Sequence, residues 1–272
     1  MLEFIKNELA KLNIELASSL SLEECKITRS YLLNRNGIDN GSAIIFAVPY
    51  LTMISSDERN ISSYSVSRDY HLFFANLFDK LIPMLKEKYP KNKFVGFTDH
   101  SPIDEIHAAA LCGLGVIGKN HLLITEKYSS YIFIGEIITD AILPSSAGEI
   151  KECINCGKCL SSCPVNMEID ACLSALTQKK GDFNDTEKKA LILHNCAWGC
   201  DKCQECCPYT IKAKSNGTIY SKIDFFNENL TPMLTTELIE NMSNDEFKSR
   251  AYSWRGKKTI LRNLEILEGK EQ

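Results

Sequence analysis

The run Cys153-Ile-Asn-Cys156-Gly-Lys-Cys159-Leu-Ser-Ser-Cys163-Pro164 constrains this chain more than any other stretch. Its spacing is C-x2-C-x2-C-x3-C-P. Three thiolates on one tight loop reach three irons of a 4Fe-4S cube, while the fourth, turned away by the proline, reaches a second cube. The spacing therefore predicts two clusters. A second run, Cys200-Asp-Lys-Cys203-Gln-Glu-Cys206-Cys207-Pro208, starts the pattern again but has Thr210 where a full repeat needs its last cysteine. Two ligands must then come from elsewhere, and Cys172 and Cys196 lie between the runs. A zinc site would use two C-x2-C pairs but gives no reason for the third cysteine or the closing prolines. A disulfide framework belongs to secreted chains, whereas Met1-Leu-Glu-Phe-Ile-Lys opens directly on a helical pattern with no signal peptide.

At 272 residues the chain has room for one large or two modest domains. No apolar run approaches the roughly eighteen residues of a membrane span, so no membrane partner and a cytoplasmic location are expected. A formal net charge of -4 gives no global attraction to nucleic acid, so an RNA contact would need a local basic patch. One candidate runs from Lys248 to Arg262, where six positive residues meet no acidic one and Tyr252 and Trp254 lie between them. Such interleaving suits RNA, and it equally suits a solvated helix face anchored by its aromatics.

Helical spacing of Leu2, Ile5, Leu9 and Leu12 predicts a helix reaching about Leu16, and a second helix is expected near Leu22 to Asn34. Cys25 lies alone there and reads as a small buried hydrophobe. The turn residues Arg35-Asn-Gly37 and Asp39-Asn-Gly41 release the chain into Ala43-Ile-Ile-Phe-Ala-Val48, a run typical of a fully buried strand closed by Pro49. The next helix should bury Leu72, Leu77, Leu81 and Leu85, with Arg68, Tyr70 and His71 at its entrance, either facing a ligand or solvated. Phe94-Val-Gly-Phe97 is a short strand, after which Asp99 is placed as N-cap of a helix containing Ile106 to Leu111. Gly113-Leu-Gly115-Val-Ile-Gly118-Lys119-Asn120 fits neither glycine-rich phosphate motif, and Asn120 removes the magnesium ligand of a P-loop. The glycines instead suggest a backbone that approaches a large ligand closely. His121 to Thr125 and Tyr131 to Ile138 are expected to form a hairpin, and a later helix is expected near Glu237 to Met242.

Several blocks together resemble the epoxyqueuosine reductase family: Arg68-Asp-Tyr-His71; Asp99-His-Ser-Pro102 with Glu105; Gly113 to Asn120; Gly135-Glu-Ile-Ile-Thr-Asp140; Cys153 to Pro164; and Gly199-Cys-Asp-Lys-Cys-Gln204 with Cys207-Pro208. They run in order through roughly Ala43 to Asn263. The resemblance implies an α+β chain: an N-terminal α/β sheet domain binding cobalamin (1–145), a ferredoxin-like double 4Fe-4S domain (146–215) and a C-terminal helical extension (216–272). It implies Cys153, Cys156, Cys159 and Cys207 on one cluster, and Cys163, Cys172, Cys200 and Cys203 on the other. Cys196 stays a rival to Cys172, and Cys206 is a bystander. Arg68, Tyr70, His71, Gly115, Gly118, Lys119 and Asn120 would face cobalamin. Asp99 would protonate the oxygen that leaves the epoxide, which asks burial to raise its pKa by roughly three units.

Family members reduce epoxyqueuosine to queuosine in tRNA, and the expected electron donor is an external protein of flavodoxin or ferredoxin type. They continue after this region into HEAT-like repeats that help hold tRNA, so a chain ending at Gln272 is expected to be a short form, gripping tRNA through another face or acting on a chemically related substrate. Val116 stands where the family's glycine-rich block has a bulky aromatic. Two other readings compete. An electron-transfer protein would feed a corrinoid or another partner without substrate chemistry, although it needs little beyond the cluster loops. An RNA-binding protein with structural clusters rests only on the C-terminal basic stretch.

Overall fold

The structure, a computed structural model, describes residues 1–168 and 171–269. The chain divides into two compact units, one built from Met1–Tyr50, Phe73–Cys156 and Lys212–Ile223, the other from Leu51–Leu72, Gly157–Ile211 and Asp224–Gln272.

The first unit contains α1 (Leu2–Ala10), β1 (Leu16–Ser21), α2 (Ser30–Arg35), β2 (Ser42–Pro49), most of α3 (Tyr70–Lys88), β3 (Phe94–Phe97), α4 (Glu105–Leu111), β4 (Val116–Ile117), β5 (Leu123–Ile124) and β6 (Ile132–Thr139). Four strands form an antiparallel sheet in the order β1-β2-β6-β3. The apolar run of β2 is buried along its whole length because both faces of the sheet are covered. Ala43 and Ile45, with Ile134 and Ile138 of β6, face a core that includes Ile103 and Ala108, Ala109 and Ala110 of α4. Phe46 turns to the opposite face and meets Phe74 and Phe78 of α3, with ring centroids 6.2 and 6.4 Å away. Period-2 alternation thus places Glu136, between Ile134 and Ile138, on the α4 face.

Two glycines make room for the phenylalanines. A Cβ on Gly135 would stand 2.4 Å from both the Phe46 and Phe74 rings, and one on Gly96 would stand 2.3 Å from Phe78. The α3 stripe is Phe73, Phe74, Leu77, Leu81 and Leu85, while Leu72, expected inside, is 44% exposed. The aromatic pair supplies the volume that the leucine was expected to fill.

Three further expectations are corrected. The first helix stops at Ala10, since Asn13 takes a left-handed backbone (φ 61°), and the chain enters β1 at Leu16. The segment expected as a helix from Leu22 is a single 3-10 turn at Leu22–Glu24 followed by α2. The expected hairpin between residues 121–125 and 131–138 does not form. β5 pairs with β4 instead, closed by Gly118 N–H to Leu122 O (2.9 Å) and His121 N–H to Gly118 O (2.9 Å), and β6 lies between β2 and β3.

The second unit is made of short helices: the entrance of α3, α5 (Lys158–Ser162), α6 (Leu173–Thr177), α7 (Asp185–His194), α8 (Lys202–Glu205), the start of α9 (Pro208–Ser215), α10 (Asp224–Asn227), α11 (Thr236–Asn241), α12 (Asn244–Lys248) and α13 (Lys257–Leu267). Its core gathers Trp198, Tyr252, Phe247, Ile239, Ile260 and Leu264. Trp198 is fully buried and donates its indole N–H to Tyr64 Oη at 2.8 Å.

The basic stretch from Lys248 to Arg262 builds this unit rather than coating it. Tyr252 is fully buried, and Arg250 is buried with its guanidinium on Asn229 O (2.5 Å) and Glu246 (3.2 Å). Lys257 bonds Met242 O at 2.8 Å, and Arg262 packs 3.7 Å from the Phe183 ring centroid. Only Lys248, Trp254 and Lys258 of the interleaved residues are exposed. The aromatics read as possible base-stackers are thereby split: Tyr252 is core and Trp254 is covered on one face by Arg255, 3.7 Å from its ring centroid.

Because Gly135 faces two ring edges rather than flexible ends, Gly135→Ala is expected to overpack the α3 face and to lower unfolding free energy by about 1–3 kcal/mol, read from the urea midpoint at an unchanged slope.

Candidate active site and cysteine loops

The loop Asp99-His100-Ser101-Pro102 leaves β3 and is fixed at each residue. Asp99 is exposed and takes a left-handed backbone, φ 62°, unusual for a residue with a Cβ. The Asp99 main-chain N–H lies close enough to the Glu105 carboxyl to favour its ionised form. His100 Nε2 bonds the Tyr31 hydroxyl at 2.7 Å. The Ser101 hydroxyl donates to Glu136, and the Ser101 carbonyl accepts from Arg29 Nη1 at 3.0 Å. The Pro102 carbonyl accepts from the N–H groups of Thr28 (2.8 Å) and Arg29 (3.1 Å). Asp99 is not the helix cap it was expected to be. That place belongs to Asp104, whose side chain accepts from His107 N–H at 3.2 Å, because Ile103 bridges Ile27 and keeps the chain extended up to it.

One fully buried carboxyl, Glu136, and one half-buried carboxyl, Glu105, therefore stand behind an exposed one. Glu136 has no exposed surface, and burial, added to by the charge of Glu105, pushes its pKa up to about 8 against the pull of Ser101. Burial, with the nearby Asp99 charge, pushes Glu105 up to about 7, and the Asp99 N–H works in the opposite direction. One oxygen of each, Glu105 Oε2 and Glu136 Oε1, is buried with no hydrogen-bond partner among the described residues. Cys25, on the same side, is buried, and its thiol is pushed up to about 12 by burial and by Glu136, which keeps it an inert filler of the core. Sequence reading quoted Glu105 and Glu136 without giving them a role. The available signal was an acidic residue inside the otherwise apolar strand Ile132–Thr139.

The glycine-rich block is explained by its own hairpin. A Cβ on Gly115 would stand 2.5 Å from Ile124 O, and one on Gly118 would stand 2.2 Å from Asn120 Oδ1. Asn120 is buried and accepts from Leu122 N–H at 3.4 Å, whereas Lys119 is exposed. Only Gly113, with φ 79° and open space where a Cβ would stand, leaves its backbone uncovered. Arg68, Tyr70 and His71 belong to the second unit. Arg68 lies 4.4 Å from the Phe225 ring centroid and 3.9 Å from Glu228, Tyr70 stacks on His71, and His71 Nδ1 bonds Asp69 at 2.8 Å.

Of the cysteines, Cys153 and Cys156 fall in the first unit and the remaining candidate ligands in the second. Cys153 N–H bonds Ile117 O at 3.1 Å, which fastens the start of the motif to β4. Asn155 (φ 54°) and Gly157 (φ 73°) are left-handed on either side of Cys156, so the chain coils tightly there. In the second unit α5, carrying Cys159, packs against α8, carrying Cys203. The Met167 N–H points at Cys163 Sγ at 3.3 Å, the kind of donor that stabilises a cluster thiolate. Burial pushes Cys200 up to about 11, and Asp201 and Cys172 add to the shift, which puts Cys172 within electrostatic reach of Cys200. Cys196 behaves differently: its sulfur lies 2.9 Å from Gly199 O and 3.5 Å from Trp198 O, against two carbonyl oxygens that would repel a thiolate. Among the described residues no three His, Cys, Asp or Glu side chains converge as they would on one metal ion. A four-iron cube does not ask for that, since each thiolate binds its own iron.

The cysteine segments are held by buried polar groups that sequence reading did not single out. Asn263, fully buried, donates to Thr177 O (2.7 Å) and Ala197 O (2.8 Å), and Gly199 N–H donates to the Thr177 hydroxyl (2.9 Å). These bonds tie the helix after Cys172 to the strand-like segment before Cys200. Asp201 receives the Ser62 hydroxyl, Ser63 N–H (2.7 Å), Gln204 Nε2 (3.1 Å) and Arg59 (3.1 Å).

Glu136 ionises near 4.5 when exposed and near 8 in the fold, so its contribution to stability is complete below about 4.5 and is lost as pH rises toward 8. Glu136→Gln removes that loss. Chemical denaturation at pH 5 and pH 8.5 is expected to show the wild type losing on the order of 2–4 kcal/mol more than the variant between the two.

No family model matches the chain. It is 34% identical to epoxyqueuosine reductase of Listeria monocytogenes over 215 residues, covering 73% of this chain and 54% of that protein. Against epoxyqueuosine reductase of Gloeobacter violaceus it is 31% identical over 198 residues, covering 70% and 62%. The chain thus spans about half the length of the first of these relatives. Its mixed helix and sheet fold matches a solved epoxyqueuosine reductase from Streptococcus thermophilus with a TM-score of 0.78 at 24% identity, covering 97% of this chain and 80% of that one. It also matches an epoxyqueuosine reductase solved with an epoxyqueuosine-modified tRNA stem loop (TM-score 0.76, 24% identity, 98% and 81% covered). With a third of the residues shared across nearly three quarters of its length, the chain belongs to the epoxyqueuosine reductase family.

Proposed function

We propose that this chain is a cytoplasmic oxidoreductase that removes the epoxide oxygen of epoxyqueuosine in tRNA, using cobalamin and two 4Fe-4S clusters. The observation that carries the reading is the 34% identity to a curated epoxyqueuosine reductase over 73% of the chain, in a sequence that also holds the ferredoxin-type run Cys153 to Pro164. Residues 1–145 would form the cobalamin domain, 146–215 a ferredoxin-like double-cluster domain and 216–272 a helical extension.

When bound, the clusters would supply electrons one at a time and cobalamin a strongly reducing metal centre. On the family resemblance, Cys153, Cys156, Cys159 and Cys207 would hold one cluster, the first three from one tight loop. For the other, Cys163, Cys172, Cys200 and Cys203 are favoured over a set with Cys196, because the Cys196 sulfur faces two carbonyl oxygens. The Met167 N–H on Cys163 suits a thiolate there. Arg68, Tyr70, His71, Gly115, Gly118, Lys119 and Asn120 remain the proposed cobalamin contacts. An exposed carboxyl on a braced loop is reachable by a large bound group, which fits Asp99 as the proton donor to the departing oxygen. The burial that such an acid requires would then come from the bound cofactor and substrate, since Asp99 is exposed in the chain alone. Electrons would arrive from a flavodoxin- or ferredoxin-type protein. No helix among the described residues is long and apolar enough to cross a membrane.

The cluster-reconstituted chain with cobalamin and a low-potential reductant is expected to convert an epoxyqueuosine-bearing anticodon stem loop, and Asp99→Asn to lower kcat by at least about a hundredfold while binding cobalamin normally. Full turnover by Asp99→Asn would contradict its role. Iron counts separate the cysteines: Cys172→Ser is expected to lose about half of the iron per chain, Cys196→Ser none.

A further inference from the structure

Asp99 occupies a backbone conformation that costs a non-glycine residue free energy, at the exposed tip of a loop. Something must hold it there. The loop's main-chain and side-chain bonds lead to two places. One is the neighbouring segment Thr28–Tyr31. The other is a pair of acidic residues on different elements, Glu105 in the first turn of α4 and Glu136 in the middle of β6.

We propose that Glu105 and Glu136 are positioning residues that latch the Asp99 loop, Glu105 through the Asp99 main-chain N–H and Glu136 through the Ser101 hydroxyl, so that the Asp99 carboxyl is presented outward. The inference rests on the reading of Asp99 as proton donor. The two acceptors act on alternate residues, 99 and 101, and between them His100 is held by Tyr31. A hydrophobic residue at 136 would fill the same volume on the α4 face, among Ile134, Ile138 and Ala109, without the desolvation penalty. An acid there therefore costs stability, and its single described bond is to the Asp99 loop. The second oxygen of each acid has no described partner, so neither carboxyl is needed to satisfy another part of the fold.

The latch is sensitive to pH. The titratable groups acting on the pair are Asp99 on the loop, Asp104 at the N-cap of α4, and Arg29 and Cys25 from the segment before α2, while Lys26 and His107 act in turn on Asp104. Arg29 is the cation among those that electrostatically favour charge on Glu105. With both acids titrating near neutrality and repelling each other, one ionises first. Glu105, less deeply buried, takes that charge and grips the Asp99 N–H more strongly when ionised.

Residue-resolved hydrogen exchange on the full chain tests this without substrate. After correction for intrinsic exchange, Asp99 N–H protection in the wild type is expected to rise several-fold from pH 6 to pH 8, and in Glu105→Gln to stay flat. Ser101→Ala and the near-isosteric Glu136→Leu are expected to raise exchange through residues 99–102 about tenfold, with β2 and β6 unchanged. Glu136→Gln, which keeps an acceptor for Ser101, is expected to hold the loop as the wild type does. In turnover of the stem loop, Ser101→Ala and Glu105→Gln are expected to lower kcat with little change in KM. Unchanged loop protection in both Ser101→Ala and Glu136→Leu would overturn the latch. A latch seen in exchange, in a protein whose Asp99→Asn variant keeps full turnover, would instead overturn the reading of Asp99.

Discussion

A carboxyl with no exposed surface sits in the middle of the sheet of the first unit, and the placement of the exposed loop depends on it. Glu136 shares its face with isoleucines and faces a helix of alanines, an environment that disfavours charge. Its bond from Ser101 is the return for that cost. The antiparallel register sets Glu136 opposite Phe97, the last residue of β3, so the chain leaving β3 passes directly over the acid. Shifting β6 by one residue would send Glu136 to the phenylalanine face and bring Gly135 to the α4 face, losing the ring packing and the loop anchor together.

The second unit solves a different problem. Cys159 and Cys203 lie in the short helices α5 and α8, whereas Cys163, Cys172, Cys196, Cys200 and Cys207 lie outside regular elements. Their main chains are satisfied instead by side chains from distant sequence: Asn263 and Thr177 between the segments near Cys172 and Cys200, and Asp201 gathering Ser62, Ser63, Gln204 and Arg59. Buried polar groups of this kind are expensive to leave unpaired, so removing one partner costs more than the bond itself contributes.

Local signals served well where one effect dominated. The uninterrupted Ala43 to Val48 run reads as a buried strand, and the cysteine spacing reads as cluster chemistry, because each pattern has few physical alternatives. β1 was hidden because Leu16-Ala-Ser-Ser-Leu-Ser has little strand propensity, and pairing with β2 supplies what the residues lack. The glycine block suggested ligand approach, yet Gly115 and Gly118 are needed by contacts with Ile124 and Asn120 across a turn that composition does not reveal. Asp99 looked like a cap because it precedes a helix, and only tertiary bridging by Ile103 moved the cap to Asp104. Asn263, between Arg262 and Leu264, gave no local signal at all, and the acid of Glu136, visible inside its apolar strand, acquires a role only from the loop that folds against it.

The proposed function requires the chain to bind cobalamin. The most direct measurement is an anaerobic titration of the cluster-reconstituted chain with cobalamin, followed in the visible spectrum. Saturable binding at one equivalent with conversion to the base-off form is the predicted result. Absence of binding, with iron and sulfide at the level of two intact clusters, would contradict it and leave an electron carrier.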